Sequence, residues 1–284
     1  MAKNKRKKIK PAYKERVWEL DFARGVCVIL MMLDHFAVAC ILFSEMWRGY
    51  LGEGSLMRFL EFAESVYFSE FKLFTVQPAV IATFFTVAGL SVSFSKKRFN
   101  SFFKTASFAA ALTLATLLLG FILGDNYFLV THGVFHMFAL CYLFHLAVGL
   151  LIKDKYARSG IFIAASVFFF VLYARTESGV IVWGDDLFSS LFNQRSSLHS
   201  MDDFYLIPWI GYFLLGAAAS PFIYPERESL FPFLNKKWHI PVTFVGRHPI
   251  FCYAVDVVVS VLLLIIIGLV AVPIDWLTDI LGIV

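Results

Sequence analysis

The stretch WELDFARGVCVILMMLDHFAVACILF, residues 18–43, decides how the rest of the chain is read. It is long and apolar enough to cross a bilayer, for which about 20 residues suffice. It also carries Asp21, Arg24, Asp34 and His35. A charged side chain at the centre of a membrane helix costs roughly 2.5–3.5 kcal/mol on insertion scales. Anchoring alone requires no such cost, and ionisable groups at that depth usually face a protein interior or a watery cavity. Arg24 and His35 lie eleven helical steps apart. At about 100° per residue they return to within about 20° of one face, roughly 16 Å apart along the axis. One stripe thus offers a permanent cation and, further along, a group able to act as acid, base or nucleophile. A purely structural role competes with this, because Asp21 can pair with Arg24 at i, i+3 and His35 can be hydrogen-bonded within a bundle.

Outward from this stretch, the 284 residues are 59% hydrophobic and 16% charged, with a mean hydropathy of +0.73. Soluble domains of this size do not have that composition, so the chain reads as an all-α polytopic membrane protein. Apolar runs predict about seven transmembrane helices, near residues 18–43, 78–95, 105–123, 128–152, 159–173, 204–224 and 243–272. Residues 1–17 form a basic tail, and 18–284 a single membrane domain. On this path 19 Lys and Arg fall on the side of the basic N-terminus and five on the other, which carries 13 of the 21 acids. The asymmetry places the N-terminus inside and the C-terminus outside. Cys27, Cys40, Cys141 and Cys252 lack metal-type spacing and read as small buried hydrophobes. The segment MRFLEFAESVYFSEF (57–71) is expected to lie flat on the membrane or to cap a cavity.

Depth counted at 1.5 Å per residue suggests a polar ladder. Arg24, Arg247 and His248 stand low, Asp256 and His136 in the middle, and His132 and His35 high. His132 and His136, placed on one helix, share a face at i, i+4. That spacing suits a metal, but no further ligand motif accompanies it and no metal is expected. Asp256 can pair with Arg247 or with a backbone group. Asp34 cannot reach the adjacent His35 ring, so its partner must come from another helix.

Five segments then resemble one family: ERVWELDFARGVCVILMMLDHF (15–36), FFTVAGLSVSFSKKR (84–98), GVFHMFALCYLF (133–144), DDFYLIPWIGYFLLGAAAS (202–220) and VGRHPIFCY (245–253). In that order they are similar to the heparan-α-glucosaminide N-acetyltransferase catalytic-domain family, in its small bacterial branch. The Arg24-x10-His35 spacing also resembles the R-x10-H signature of the wider transmembrane acyltransferase group. The resemblance implies transfer of an acetyl or other short acyl group from cytosolic acyl-CoA to an amine or hydroxyl of a cell-envelope sugar on the outer side. It implies a donor-side role for Arg24 and a catalytic one for His35, in a bacterial inner membrane.

The chemistry of the residues agrees. Arg24, Arg247 and His248 suit the phosphates of acyl-CoA. His35 or His136 suits removal of the acceptor's proton, with Asp34 beside the catalytic position and Asp21, His132 and Asp256 completing the polar path. Direct transfer and an acyl-histidine intermediate both remain open. Expected partners are acyl-CoA, the envelope sugar or glycan, membrane lipids and a possible second copy of the chain, with no nucleic acid. The rival reading is a proton-coupled transporter or flippase in which the same Asp and His residues relay protons.

Overall fold

A computed structural model of the chain describes residues 17–49, 54–95, 98–124, 129–184, 186, 189–192, 204–234 and 237–271. The described residues are helical, with no strand: α1 (Trp18–Trp47), α2 (Ser55–Tyr67), a π-helical turn (Lys72–Val76) leading into α3 (Gln77–Val92), α4 (Arg98–Leu123), α5 (Val134–Leu151), α6 (Lys155–Glu177), α7 (Trp209–Ile223), α8 (Ile240–Arg247) and α9 (Pro249–Ala271). Five helices are long and apolar enough to cross a membrane, or six if α8 and α9 form one bent span. The chain is an integral membrane protein. The expected count of seven is reached only by adding α7, whose 15 residues are fewer than the roughly 20 a straight span needs. The basic tail, Asp185, Asp202 and Asp203 of the acidic loop, and the segment after Ala271 lie outside the described residues.

The third span starts at Arg98 rather than 105, and the fifth runs Lys155–Glu177 rather than 159–173; three further elements differ in how they are built. The second span begins earlier, at Lys72, because the π-turn runs directly into α3. Pro78 explains the irregularity: it has no N–H to donate to a carbonyl one turn back and crowds that carbonyl. The fourth span starts at Val134 rather than at 128. Residues 129–133 before it are not helical, and α4 satisfies the Val130 backbone from the side. Thr113 Oγ1 donates to the Val130 carbonyl at 2.8 Å, and Val130 N–H donates to Thr116 Oγ1 at 3.1 Å. The expected last span is two helices, bent by 78° across His248. His248 leaves helical geometry, at φ −125° and ψ 46°, because the ring of the proline that follows it crowds the helical conformation.

Two groups of helices make the bundle. One is a dense aromatic core of α3, α4, α5, α6 and α7, in which Phe85, Met137, Phe213 and Leu214 are fully buried. Phe85 stacks on Phe138 with ring centroids 4.3 Å apart. The other is α1, with α2, α8 and α9 packed along it. α2 covers part of α1 by seating Met57 and Leu60 against Ala39 and Cys40, while Phe59 and Phe62 face outward. The four cysteines are buried thiols.

The α1–α8 crossing fixes the position of the site. A Cβ on Gly246 would overlap the Asp21 carbonyl, and one on Gly25 the Val242 carbonyl. Two glycines therefore let the backbones touch, as small residues do wherever membrane helices pack closely. The R-G of α1 and the G-R of α8 are thereby brought together.

Candidate functional site

At that crossing Arg24 is held on three sides. Its Nη1 donates to Asp21 Oδ1 at 3.2 Å and to the Gly246 carbonyl at 3.0 Å, and its Nη2 to Ser91 Oγ at 2.6 Å. Ser91 gives its own proton to the Val87 carbonyl, so its oxygen is free to accept. Arg247 Nε reaches the other oxygen of Asp21 at 3.1 Å. One buried carboxylate thus spaces two guanidinium groups. With a single acid against two arginines, the cluster retains net positive charge.

Both arginines line a cavity of about 310 Å³ at the seam between the two helix groups. Ser91, Tyr142, Phe138 and Tyr253 form other parts of its wall. Its surface is more apolar than polar, with the cations at one part of it, which suits a ligand with an anionic end and a slender apolar arm.

Tyr253 connects this cavity to His35. The Tyr253 ring meets the His35 ring edge-on, with centroids 5.5 Å apart. His35 Nδ1 lies 2.8 Å from Asp256 Oδ2, and Asp256 is buried. The contact between His35 and Asp256 corrects the ladder, which set them at different heights and offered Asp256 to Arg247. α9 leans across α1 after the bend and brings the two side chains level. A carboxylate on Nδ1 favours the tautomer with hydrogen on that nitrogen, which leaves Nε2 as the basic atom. Ser260 Oγ, one turn along α9, donates to the other oxygen of Asp256 at 3.4 Å.

Asp34 finds its partner on another element, as expected. Lys72 Nζ lies 2.6 Å from Asp34 Oδ1 and 3.7 Å from the centre of the Tyr67 ring. Sequence reasoning passed over Lys72, counting it only among outer charges. The available signal was a single lysine inside the apolar run FKLFTVQP, just ahead of a proline.

The remaining candidates stand apart from this group. His136 is in the first turn of α5, with Nε2 2.9 Å from Thr113 Oγ1. The Thr113 proton goes to Val130, so His136 donates to Thr113, a contact that ties α5 to α4. His132 precedes the helix, so the shared i, i+4 face does not exist. Its Nδ1 pairs with Thr131 Oγ1 at 2.7 Å, and its carbonyl accepts from Phe204 N–H. His248 sits exposed at the α8–α9 break against Phe244, with ring centroids 4.9 Å apart, and is not part of the cavity wall. Among the described residues no group of three or more His, Cys, Asp or Glu is placed to hold a metal ion.

The family model described as heparan-alpha-glucosaminide N-acetyltransferase, catalytic, matches residues 16–258. The chain belongs to that family. It is a membrane acetyltransferase in general class, and the match spans every residue of the Arg24 and His35 clusters except Ser260. No curated protein and no solved structure matches the chain.

Proposed function

We propose that the protein transfers an acetyl or other short acyl group from cytosolic acyl-CoA to an amine or hydroxyl of a cell-envelope sugar at the opposite face of a bacterial inner membrane. The observation that carries this reading is the seam cavity. Two arginines spaced by Asp21 line it, and Tyr253 in its wall abuts the His35–Asp256 pair.

Arg24 and Arg247 take the anionic part of acyl-CoA by charge-assisted hydrogen bonds. The thioester arm runs along the apolar wall towards Tyr253. The acceptor nitrogen or oxygen attacks the thioester carbonyl carbon. A C–N or C–O bond forms, the C–S bond breaks, and His35 Nε2 takes the acceptor's proton and delivers it to the departing CoA sulfur. Asp256 stabilises the imidazolium that forms in between. If the route instead passes through an acyl-histidine, the same Nε2 is the attacking atom. A rapid-quench single turnover without acceptor separates the two by the presence or absence of acylated protein.

Calorimetry on the full chain in detergent tests the donor site, with acetyl-CoA against CoA and ATP. Acetyl-CoA should bind with a Kd roughly in the micromolar to millimolar range, and Arg24→Gln should abolish it. Folded protein that binds no acyl-CoA would overturn the reading. So would acetyl transfer that survives in His35→Ala.

A further inference from the structure

A second cavity, of about 180 Å³, lies on the other side of α3. Ser93 and Phe94 line it, whereas Ser91, Val92 and Ser95 line the seam cavity. α5, α6, α7 and the turn after α7 complete its wall. Three cations converge there: Lys155, Arg158 and Arg227. None of its described lining residues is acidic, and none of the three has a carboxylate within ion-pair distance among the described residues. By contrast, the embedded cations Arg24 and Lys72 are each matched to an aspartate.

The cations are positioned rather than merely near. Arg227 Nη1 donates to the Phe94 carbonyl at 3.2 Å, and its guanidinium lies over the Phe94 ring at 5.8 Å. Its backbone is held in the left-handed region at φ 59°, which a non-glycine residue adopts only where its surroundings enforce it. Arg158 is half-buried and Lys155 exposed. The floor is polar and protected: Ser159 and Ser220 are buried, and His145 is buried with its ring stacked on Phe162 at 5.2 Å. Tyr224 closes one side. Its hydroxyl donates to the Glu19 carboxylate. The first amides of α6 contribute little, because the Asp154 side chain already accepts from Tyr156 N–H and Ala157 N–H. Attraction in this cavity therefore comes from side chains. Leu151, the last residue of α5, and Phe222, next to Pro221 of the wall, are both strongly exposed and present apolar surface of the kind that faces lipid.

We propose that this cavity is a phosphate-binding site distinct from the acyl-donor cavity. Its ligand is either the headgroup phosphate of an anionic membrane lipid, whose chains lie along the Leu151 and Phe222 surface, or the phosphate of a soluble anion. Two arginines offer planar, forked donors to phosphate oxygens, and Lys155 adds a point charge at the mouth. The Ser93 and Ser159 hydroxyls already donate to backbone carbonyls, so recognition rests on the cationic side chains.

The test uses the full chain in detergent and reads thermal stabilisation along two arms. One titrates inorganic phosphate and pyrophosphate. The other compares micelles doped with phosphatidylglycerol against micelles doped with diacylglycerol, which has similar chains and no phosphate. Wild type should respond in at least one arm: the lipid arm alone identifies a headgroup, the phosphate arm a soluble anion. Arg158→Gln with Arg227→Gln should weaken the response by about tenfold or more, while Arg24→Gln should retain it. Should the double variant fail to fold, Lys155→Gln, at an exposed position, should still weaken the response and raise its sensitivity to salt. No response from wild type in either arm overturns the proposal. So does a response that persists in the folded double variant, or one that is lost in Arg24→Gln. Because acetyl-CoA binding is measured separately, failure here leaves the acyl-donor reading standing, and the reverse also holds.

Discussion

Asp21 is a small group with a large share in the site. It is 3% exposed and touches both arginines of the seam cavity. Asp21→Asn removes the carboxylate that offsets Arg24 in its half-buried setting, and should lower stability by about 3 kcal/mol, as for breaking a buried ion pair. A thermal melt in detergent checks this. Asp256→Asn acts differently. It leaves a side chain of the same shape beside His35 but removes the carboxylate that favours hydrogen on Nδ1 and, in the proposed mechanism, stabilises the imidazolium. Acetyl transfer should fall roughly 10²- to 10⁴-fold. Acetyl-CoA binding should be nearly unchanged, because Asp256 is not part of the seam cavity wall. The comparison of kcat with donor Kd separates a catalytic loss from misfolding.

At the scale of the helix, the α1–α8 contact sets the geometry on which those residues depend. Gly246→Ala would press a methyl group into the Asp21 carbonyl, where backbone rather than a flexible side chain must yield. The cost should be roughly 1–3 kcal/mol, and acetyl-CoA binding should weaken because the Gly246 carbonyl no longer meets Arg24. Gly160 in α6 is the natural control. A Cβ there meets nothing within 4 Å. Gly160→Ala should be neutral or stabilising by up to about 1 kcal/mol, the helix-propensity difference between the two residues. Melting temperature and calorimetry on the two variants, side by side, distinguish close packing from a general sensitivity of the helices. The π-turn is a second device at this scale. It turns Lys72 onto Asp34, the chain neighbour of His35, and onto the Tyr67 ring.

For the whole molecule, the decisive feature is that the seam cavity lies where two helix groups meet. A ligand held by both α1 and α8 on one side and α3, α4 and α5 on the other joins the groups. Acetyl-CoA at about 100 times its Kd should therefore stabilise the protein by about 2.7 kcal/mol. The effect should appear as one upward shift of a single transition, and ATP, which lacks the acyl arm, should give less. Core truncation gives the complementary result. Phe85→Ala, inside the aromatic group and outside the seam cavity wall, should cost roughly 3–5 kcal/mol. Near-UV circular dichroism on heating would show the loss.

The sequence by itself determined the class and the ingredients. Long apolar runs lead to a helical membrane protein, since only helices and closed barrels satisfy backbone groups in lipid and a barrel strand needs no run of that length. A charged pair within such a run marks Arg24 and His35 through the cost of burying them. The Asp21–Arg24 pair was legible from its i, i+3 spacing, but partners on other helices were not, because helical spacing ranks residues along one element and says nothing about rotation between elements. The Asp256–His35 contact, the Lys72–Asp34 pair and the Asp21 bridge to Arg247 are all set between helices. Their positions depend on a glycine contact, a π-turn and a 78° bend, none of which has a periodicity to read. His132 shows the same limit from the other side. Its spacing to His136 is helical in the sequence, yet two threonines of α4 capture Val130 just upstream and the segment is not helical. Competition between local helix formation and hydrogen bonds from a neighbouring element is decided only once the helices are packed.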